Sequence, residues 1–114
     1  MSAQSVALSD EGWTPLVPVN EQRAKRGLPP LIEDAQLASL AKAISHTRAA
    51  RNIRGHLRRW QAGDAKAEGV GWNGRKDLQG KFFRSCCLYE RRWTHAGAAI
   101  STSRHGTFYT LLVR

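Results

Sequence analysis

The sequence predicts an α+β fold in which helices pack against a small antiparallel sheet. Apolar residues recur at i, i+3 and i+4 between residues 34 and 52, which is the pattern of a helix with one buried side. The residues from 93 to 114 are mostly small, β-branched or aromatic, as strands are, and a short polar turn divides them. Because the helical patterns come first and the strands last, we expect the helices to cover a sheet built from the strands.

The length and charge of the chain limit what it can be. Its 114 residues leave room for one core, which we place at residues 13–114, after a flexible segment at residues 1–12. The net charge of +9 makes nucleic acid or an anionic envelope or membrane surface a plausible partner, although such a charge also keeps proteins soluble. No apolar run approaches the ~20 residues that span a bilayer, and the start does not read as a secretory signal.

The segment WTPLVPVNEQRAKRG predicts the first helix. It begins either after Thr14, which can cap it, or near Val17, and each start brings a proline to the first helical position. Gly27 is expected to end the helix, and the two prolines of the following GLPP corner prevent it from resuming.

The second helix has the clearest pattern and is predicted to run to about Asn52. Glu33 and Asp34 are expected in its first turn, where negative charge stabilises the positive end of the helix dipole. The residues expected on its buried stripe are Leu37, Leu40, Ala41, Ile44 and Arg48.

The middle of the chain is less regular, and glycines interrupt it. Residues 53–60 could add one or two helical turns, and a brief strand is predicted at residues 69–72, before the turn signal Asn73-Gly74. A short third helix is predicted around residues 80–90. The last elements are the two strands of a hairpin, in WTHAGAAISTS and TFYTLLVR, with apolar side chains on both faces of the final strand.

The two cysteines, Cys86 and Cys87, are adjacent in the sequence. Their Cα atoms lie ~3.8 Å apart across a trans peptide, which is too close for an ordinary structural disulfide. No CxxC pair indicates a structural zinc site.

His56 follows the predicted second helix and Glu68 precedes the predicted strand at residues 69–72, and the family resemblance given below is what pairs them. A histidine and a carboxylate that lie close together can bind a metal, relay a proton or form a hydrogen bond. Two protein ligands hold a metal weakly, since stable zinc sites use three or four, so the residues alone favour a structural histidine. His46 and His105 are expected to be incidental.

Two further groups of residues have a structural and a functional interpretation. Asn20 and Arg23 could contact a ligand, but we favour a role in which Arg23 anchors a loop through its guanidinium donors and Asn20 bonds to backbone. The basic series at near-helical spacing could track phosphates, with Trp60 stacking on a base, or could simply form a solvated face. Its members are Arg48, Arg51, Arg54, Arg58 and Arg59.

The stretch from residue 20 to residue 52 resembles the start of the CAP domain, the fold of cysteine-rich secretory proteins, antigen 5 and plant pathogenesis-related proteins. It is most similar to the short bacterial members, whose pattern runs N-x-x-R, G-L-P-P-L and D-x-x-L, with small residues following at helical spacing. The later segments GHL, AEGVGW, WTHAGAAI and HGTFYTLLVR resemble the histidine, the G-E-N-like strand and the terminal hairpin of the family. The matching residues in the first stretch are Asn20, Arg23, Gly27, Leu28, Pro29, Pro30, Leu31, Asp34, Leu37, Ala41 and Ser45.

The resemblance implies an α-β-α sandwich with a shallow cleft lined by His56, Glu68 and His95. In the family, this cleft contains two histidines and acidic residues and can hold a divalent metal. Here the second histidine has no counterpart, and Arg84 falls at its place. The resemblance therefore implies, at most, a weakly bound divalent cation at His56 and Glu68.

The leading functional hypothesis is a CAP-like domain that binds rather than catalyses. By resemblance, its ligand is an apolar or cell-envelope molecule or a partner protein, and its location is extracellular or in the envelope. Because the start does not read as a secretory signal, a cytoplasmic location is the alternative. One alternative is a cationic module that binds nucleic acid or an acidic surface. Another is a metal-assisted hydrolase in which His56 and Glu68 activate water.

Overall fold

The structure is a computed structural model that describes residues 14–57, 63–76 and 88–114. These residues form two helices and four strands. The elements are α1 (Leu16–Lys25), β1 (Ile32–Glu33), α2 (Ala35–Arg51), β2 (Ala67–Asn73), β3 (His95–Ser103) and β4 (Gly106–Val113). The predicted α+β class is confirmed.

The four strands form one sheet in the order β1-β3-β4-β2. β4 is antiparallel to both of its neighbours, so that Leu112 lies opposite Gly97 on one side and Glu68 on the other. β1 adds two residues parallel to β3, which makes the sheet mixed. Its position follows from the GLPP corner, after which the N–H groups of Ile32 and Asp34 donate to carbonyls at the start of β3.

The helices lie on opposite faces of the sheet, and each face has its own apolar cluster. On the α1 face, the buried cluster consists of Leu16, Val19, Leu31, Leu88, Trp93, Ala96, Ala98, Tyr109, Leu111 and Val113. On the α2 face, it consists of Leu37, Ala41, Ile44, Ala99 and Leu112. Every residue of β4 is buried, which confirms that the last strand is covered on both sides and that the fold is an α-β-α sandwich.

α1 ends where its sequence signal stands and begins within one residue of a predicted start. The helix begins at Leu16 with Pro15 at its N-cap, one residue later than the first of the two predicted starts and one residue before the second. The hydroxyl of Thr14 accepts a hydrogen bond from the N–H of Leu16, 3.1 Å away. Gly27 adopts a φ of 70°, a conformation that costs a glycine little and other residues more. The chain can therefore turn sharply out of the helix into the corner.

Two side chains of α1 hold the corner in place. The amide of Asn20 accepts from the N–H of Leu31 at 2.8 Å and donates to its carbonyl at 3.1 Å. The buried guanidinium of Arg23 donates to the carbonyls of Pro29, Leu88 and Glu90 at 2.8–3.0 Å. The structural interpretation of Asn20 and Arg23 is confirmed.

Asp34 is the N-cap of α2. Its carboxylate accepts from the N–H of Leu37 at 2.9 Å and from the guanidinium of Arg114 at 2.6 Å. Glu33, which was expected in the first helical turn, lies instead in β1, because the chain stays extended until the cap. The helix ends at Arg51, and Asn52 closes it in the left-handed conformation, close to the predicted end.

Acidification is expected to remove the contribution of Asp34 to stability. The N–H of Leu37 and the guanidinium of Arg114 both stabilise the carboxylate and hold the pKa of Asp34 below its ordinary value. A group with a lowered folded-state pKa stabilises the fold above the ordinary Asp pKa of about 4, and this contribution disappears as the pH falls through the folded-state value. Urea midpoints at pH 7 and pH 3 should therefore fall further for the wild type than for Asp34→Asn, whose amide still caps the helix. Glu33→Gln is the control and should show the same fall in midpoint as the wild type. If the midpoint of Asp34→Asn fell as far between pH 7 and pH 3 as that of the wild type, the assignment would be contradicted.

Other predicted elements differ in extent or lie outside the described residues. β2 spans seven residues, more than the predicted strand at 69–72, and no helical turn follows α2 within residues 53–57. The flexible segment at 1–12, the two cysteines and all but the last three residues of the predicted third helix lie outside the described residues. No helix in the described part of the chain has the length and apolar character needed to cross a membrane.

Candidate functional site

The structure brings His56 and Glu68 together. Nδ1 of His56 contacts Oε1 of Glu68, although the two residues belong to different parts of the fold. His56 follows the end of α2, whereas Glu68 lies on β2 in the same row as Leu112 and Gly97, whose side of the sheet faces α2. The predicted proximity of these two side chains is confirmed.

The two partners differ strongly in exposure. The side chain of Glu68 is 1% exposed and that of His56 is 55% exposed, so the carboxylate lies beneath the imidazole. Oε2 of Glu68 is buried and has no hydrogen-bond partner among the described residues. Since an uncompensated buried charge is costly, the carboxylate depends on the cationic groups around it.

The main cationic group beside this site is Arg48, which is fully buried on α2. Its guanidinium donates to five backbone carbonyls and one hydroxyl. Three of the carbonyls belong to successive residues of the loop after α2, namely Ile53, Arg54 and Gly55, with Nε 2.9 Å from the last of them. The others lie on the sheet at Tyr109 and Gly71, and the hydroxyl is that of Thr110.

These bonds make Arg48 the residue that fixes the loop carrying His56. Burial lowers the pKa of Arg48 to about 10, and the negative charge of Glu68 partly opposes that shift, so the guanidinium remains charged at neutral pH. The proposal that Arg48 belongs to an exposed basic series is therefore wrong. Its position on the buried stripe of α2 determines its environment, and the carbonyls around it satisfy the charge.

An open pocket lies beside the pair. It has a volume of about 410 Å³ and is lined by Thr47, Arg51, Ile53, His56 and Leu57. Thr47 and Arg51 are one turn apart on α2, and the other three residues belong to the loop that Arg48 holds. Two apolar side chains thus meet a guanidinium, an imidazole and a hydroxyl in one open concave surface, which is more polar than most small-molecule sites.

The structure does not bring His95 to this pair. His95 is the first residue of β3, two strands from Glu68 in the sheet order, and its Nδ1 lies 2.8 Å from the hydroxyl of Thr94. Arg84, the other predicted cleft residue, lies outside the described residues. Of the predicted set, the described site therefore contains His56 and Glu68.

Several residues of the site were not predicted as site residues from the sequence. Arg51 was assigned to a basic series, while Ile53 and Leu57 were assigned to an extra helical turn. A usable signal was present for Arg48 alone, because a cation at a position of the apolar stripe of a helix indicates a buried charge with dedicated partners. The pocket residues had no comparable signal, since the loop conformation that groups them depends on the hydrogen bonds that Arg48 donates to the loop carbonyls.

Comparisons with known proteins support the fold. No family model matches the sequence, and no curated protein matches it. Among solved structures, the chain is similar to MpPR-1i, a pathogenesis-related PR-1-like protein of the CAP superfamily whose crystal was soaked with selenourea. The two are 16% identical, the match covers 86% of this chain and 85% of that one, and the TM-score is 0.57. At this identity the likeness shows a CAP-like fold.

Proposed function

We propose that this CAP-like domain is a non-catalytic binding protein whose ligand occupies the pocket beside His56. The observation that carries the proposal is the composition of that pocket, in which Ile53 and Leu57 provide apolar contact and Arg51 and His56 provide positively charged or donor groups. A ligand with an apolar body and an acidic or strongly polar group matches these walls. The pair with buried Glu68 keeps the imidazole of His56 in a defined orientation at the edge of the pocket.

The described residues do not fit a tightly bound metal. No group of three or more potential His, Cys, Asp or Glu ligands occurs among residues 14–57, 63–76 and 88–114. His56 and Glu68 supply two ligands and already contact each other, whereas stable zinc sites use three or four. We therefore propose that a divalent cation is held there weakly and exchangeably, and we derive no reaction through it.

The metal proposal can be tested separately by calorimetry. Titration with ZnCl₂ compares the wild type with His56→Ala. Weak heats that disappear in the variant would support a low-affinity ion at the pair, and equal heats in both proteins would remove His56 from any metal site. A dissociation constant below the micromolar range that depends on His56 would contradict a weakly held ion.

The pocket can be tested with two fluorescent probes that share an aromatic skeleton. 8-Anilinonaphthalene-1-sulfonate carries a sulfonate, and N-phenyl-1-naphthylamine does not. We expect Arg51→Gln to weaken the affinity for the sulfonate about 3- to 10-fold, the size of one partly exposed charged hydrogen bond, and to leave the affinity for the neutral probe unchanged. Leu57→Ser should weaken both probes, because it removes apolar contact area.

Lys42→Gln is the matched control, since Lys42 is an exposed cation of the same helix that does not line the pocket. Circular dichroism confirms that each variant is folded before its affinity is compared. If Lys42→Gln weakens sulfonate binding as much as Arg51→Gln, the probe follows net charge and the pocket is not the binding site.

The proposed location is the cell envelope or the extracellular space, as the resemblance to the CAP family implies. Immunoblots of cytosolic, envelope and medium fractions from the source organism test it. Protein found in the cytosolic fraction alone would contradict this location without affecting the pocket.

A further inference from the structure

A second surface, none of whose residues lines the pocket, lies at the hairpin end of the sheet. We call it the Arg54–Trp72 surface and define it by six residues. They are Arg54 of the loop after α2, Trp72 of β2, Arg75 and Lys76 beyond β2, and Arg104 and His105 of the hairpin turn. All four cations among them are exposed.

The contacts of Trp72 show that these residues are contiguous. The guanidinium of Arg54 stacks on the indole ring, with Cζ 3.6 Å from the ring centroid. The indole N–H donates to the carbonyl of His105 at 2.9 Å, and Nε of Arg104 lies 3.4 Å from Nε2 of His105. The hydroxyl of Thr107, in the neighbouring strand β4, donates a hydrogen bond to the carbonyl of Arg75 and so fixes its backbone.

Arg54 is held rigidly from both sides. Its carbonyl accepts a hydrogen bond from buried Arg48, while its own guanidinium lies flat against Trp72. A guanidinium fixed in this way presents its outer face and its edge N–H groups without the loss of side-chain entropy that a free arginine would incur.

The charge of this end of the molecule is uncompensated by described carboxylates. Arg54, Arg75, Lys76 and Arg104 form no ion pair with any of them. Asp34 and Asp64 bind Arg114 at the opposite end of β4, and Glu90 pairs with Arg92.

We propose that the Arg54–Trp72 surface binds single-stranded nucleic acid. Four exposed cations provide phosphate contacts, and the planar guanidinium supported by Trp72 provides a face on which a base can stack. A membrane surface fits less well, because insertion would need exposed apolar side chains beside the cations. The large apolar side chain that is exposed among the described residues is Ile32, which lies on β1, at the other edge of the sheet from Trp72. No motif for reading base sequence accompanies the surface, so binding is expected to be independent of sequence.

The test is fluorescence anisotropy with a labelled 12-nucleotide oligothymidylate at several salt concentrations. With about three phosphates neutralised, the slope of log affinity against log salt should be about −2, since single strands give ~0.7 per phosphate. The triple variant Arg54→Gln, Arg75→Gln, Arg104→Gln should weaken binding at least tenfold at low salt and flatten the slope. The control triple variant Lys25→Gln, Lys42→Gln, Lys66→Gln removes the same charge from exposed positions elsewhere and should stay within about threefold of the wild type.

Two further ligands separate base stacking from charge alone. An abasic strand of the same length should bind several-fold more weakly than oligothymidylate, and vesicles of phosphatidylcholine with 30% phosphatidylserine should not compete with it. Equal losses in both triple variants, equal affinity for the abasic strand, or preferential binding to the vesicles would each overturn the proposal. Because none of the six surface residues lines the pocket, failure here leaves the pocket proposal standing.

Discussion

Gly97→Ala is expected to destabilise the protein by at least about 3 kcal/mol or to prevent it from folding, because overpacking against backbone is among the more costly core changes. Gly97 lies on β3 directly beneath the first turn of α2. A Cβ at this position would sit 2.0 Å from the backbone nitrogen of Ala38 and 2.1 Å from the carbonyl carbon of Leu37. These neighbours are helix backbone, so no side-chain rotation can relieve the clash. The helix itself would have to move away from the sheet.

Gly55→Ala is the matched control for this prediction. A Cβ at Gly55 would meet nothing within 4 Å, and its φ is not in the left-handed region. The change should alter stability by less than about 1 kcal/mol, and in the stabilising direction if it restricts the unfolded chain. Urea unfolding followed by circular dichroism compares the two variants. Similar midpoints for Gly97→Ala and the wild type would show that α2 and β3 do not approach as closely as the structure has them.

The parts of the fold that could be predicted from the sequence are those with a local physical cause. Gly27 ends α1 because a left-handed residue is needed there. Asp34 was expected in the first turn of α2 and lies one position before it, as the N-cap, where its carboxylate accepts a free N–H group of that turn. The hairpin was predicted from the strand-forming residues on either side of a polar turn. Each signal lies within a few residues of the feature it specifies.

Other features depend on contacts between distant segments and have no local signal. β1 is two residues long, too short to show any periodicity, and it exists because the GLPP corner delivers the chain to the edge of β3. The contact between His56 and Glu68 was predicted from the family resemblance, since neither residue carries a pattern that points to the other. The apolar spacing of Ile53 and Leu57 also fits a helical turn, yet Arg48 draws the intervening carbonyls out of helical geometry.

Arg48→Met is expected to cost about 3–5 kcal/mol of stability, the range for breaking a buried charged network by removing one member. Methionine fills a similar length but donates no hydrogen bond, so the carbonyls of Ile53, Arg54, Gly55, Tyr109 and Gly71 would lose a donor. Of these acceptors the carbonyl of Tyr109 is fully buried, and one buried acceptor left unsatisfied costs on the order of 1–3 kcal/mol; the others are partly buried and cost less. Glu68 would also lose the nearby cation, because Arg48 is the charged group whose pKa the negative charge of Glu68 raises.

Arg48→Lys and Arg51→Met separate the causes of this loss. Lysine keeps the charge near Glu68 but cannot bond to several carbonyls at once. A stability of Arg48→Lys between those of the wild type and Arg48→Met would show that the planar guanidinium itself contributes. Arg51→Met changes an exposed arginine one turn later on the same helix and should shift stability by less than about 0.5 kcal/mol. Urea midpoints rank the three variants.

The same variants also connect stability with the proposed pocket. Arg48 does not line the pocket, but it holds the carbonyls of the loop that contributes Ile53, His56 and Leu57 to it. Under conditions in which Arg48→Lys is still folded, its affinity for N-phenyl-1-naphthylamine should therefore fall, whereas Arg51→Gln leaves that neutral probe unaffected. If Arg48→Met is as stable as the wild type, as some apolar replacements of buried charges are, the loop is held by other contacts and the pocket does not depend on this guanidinium.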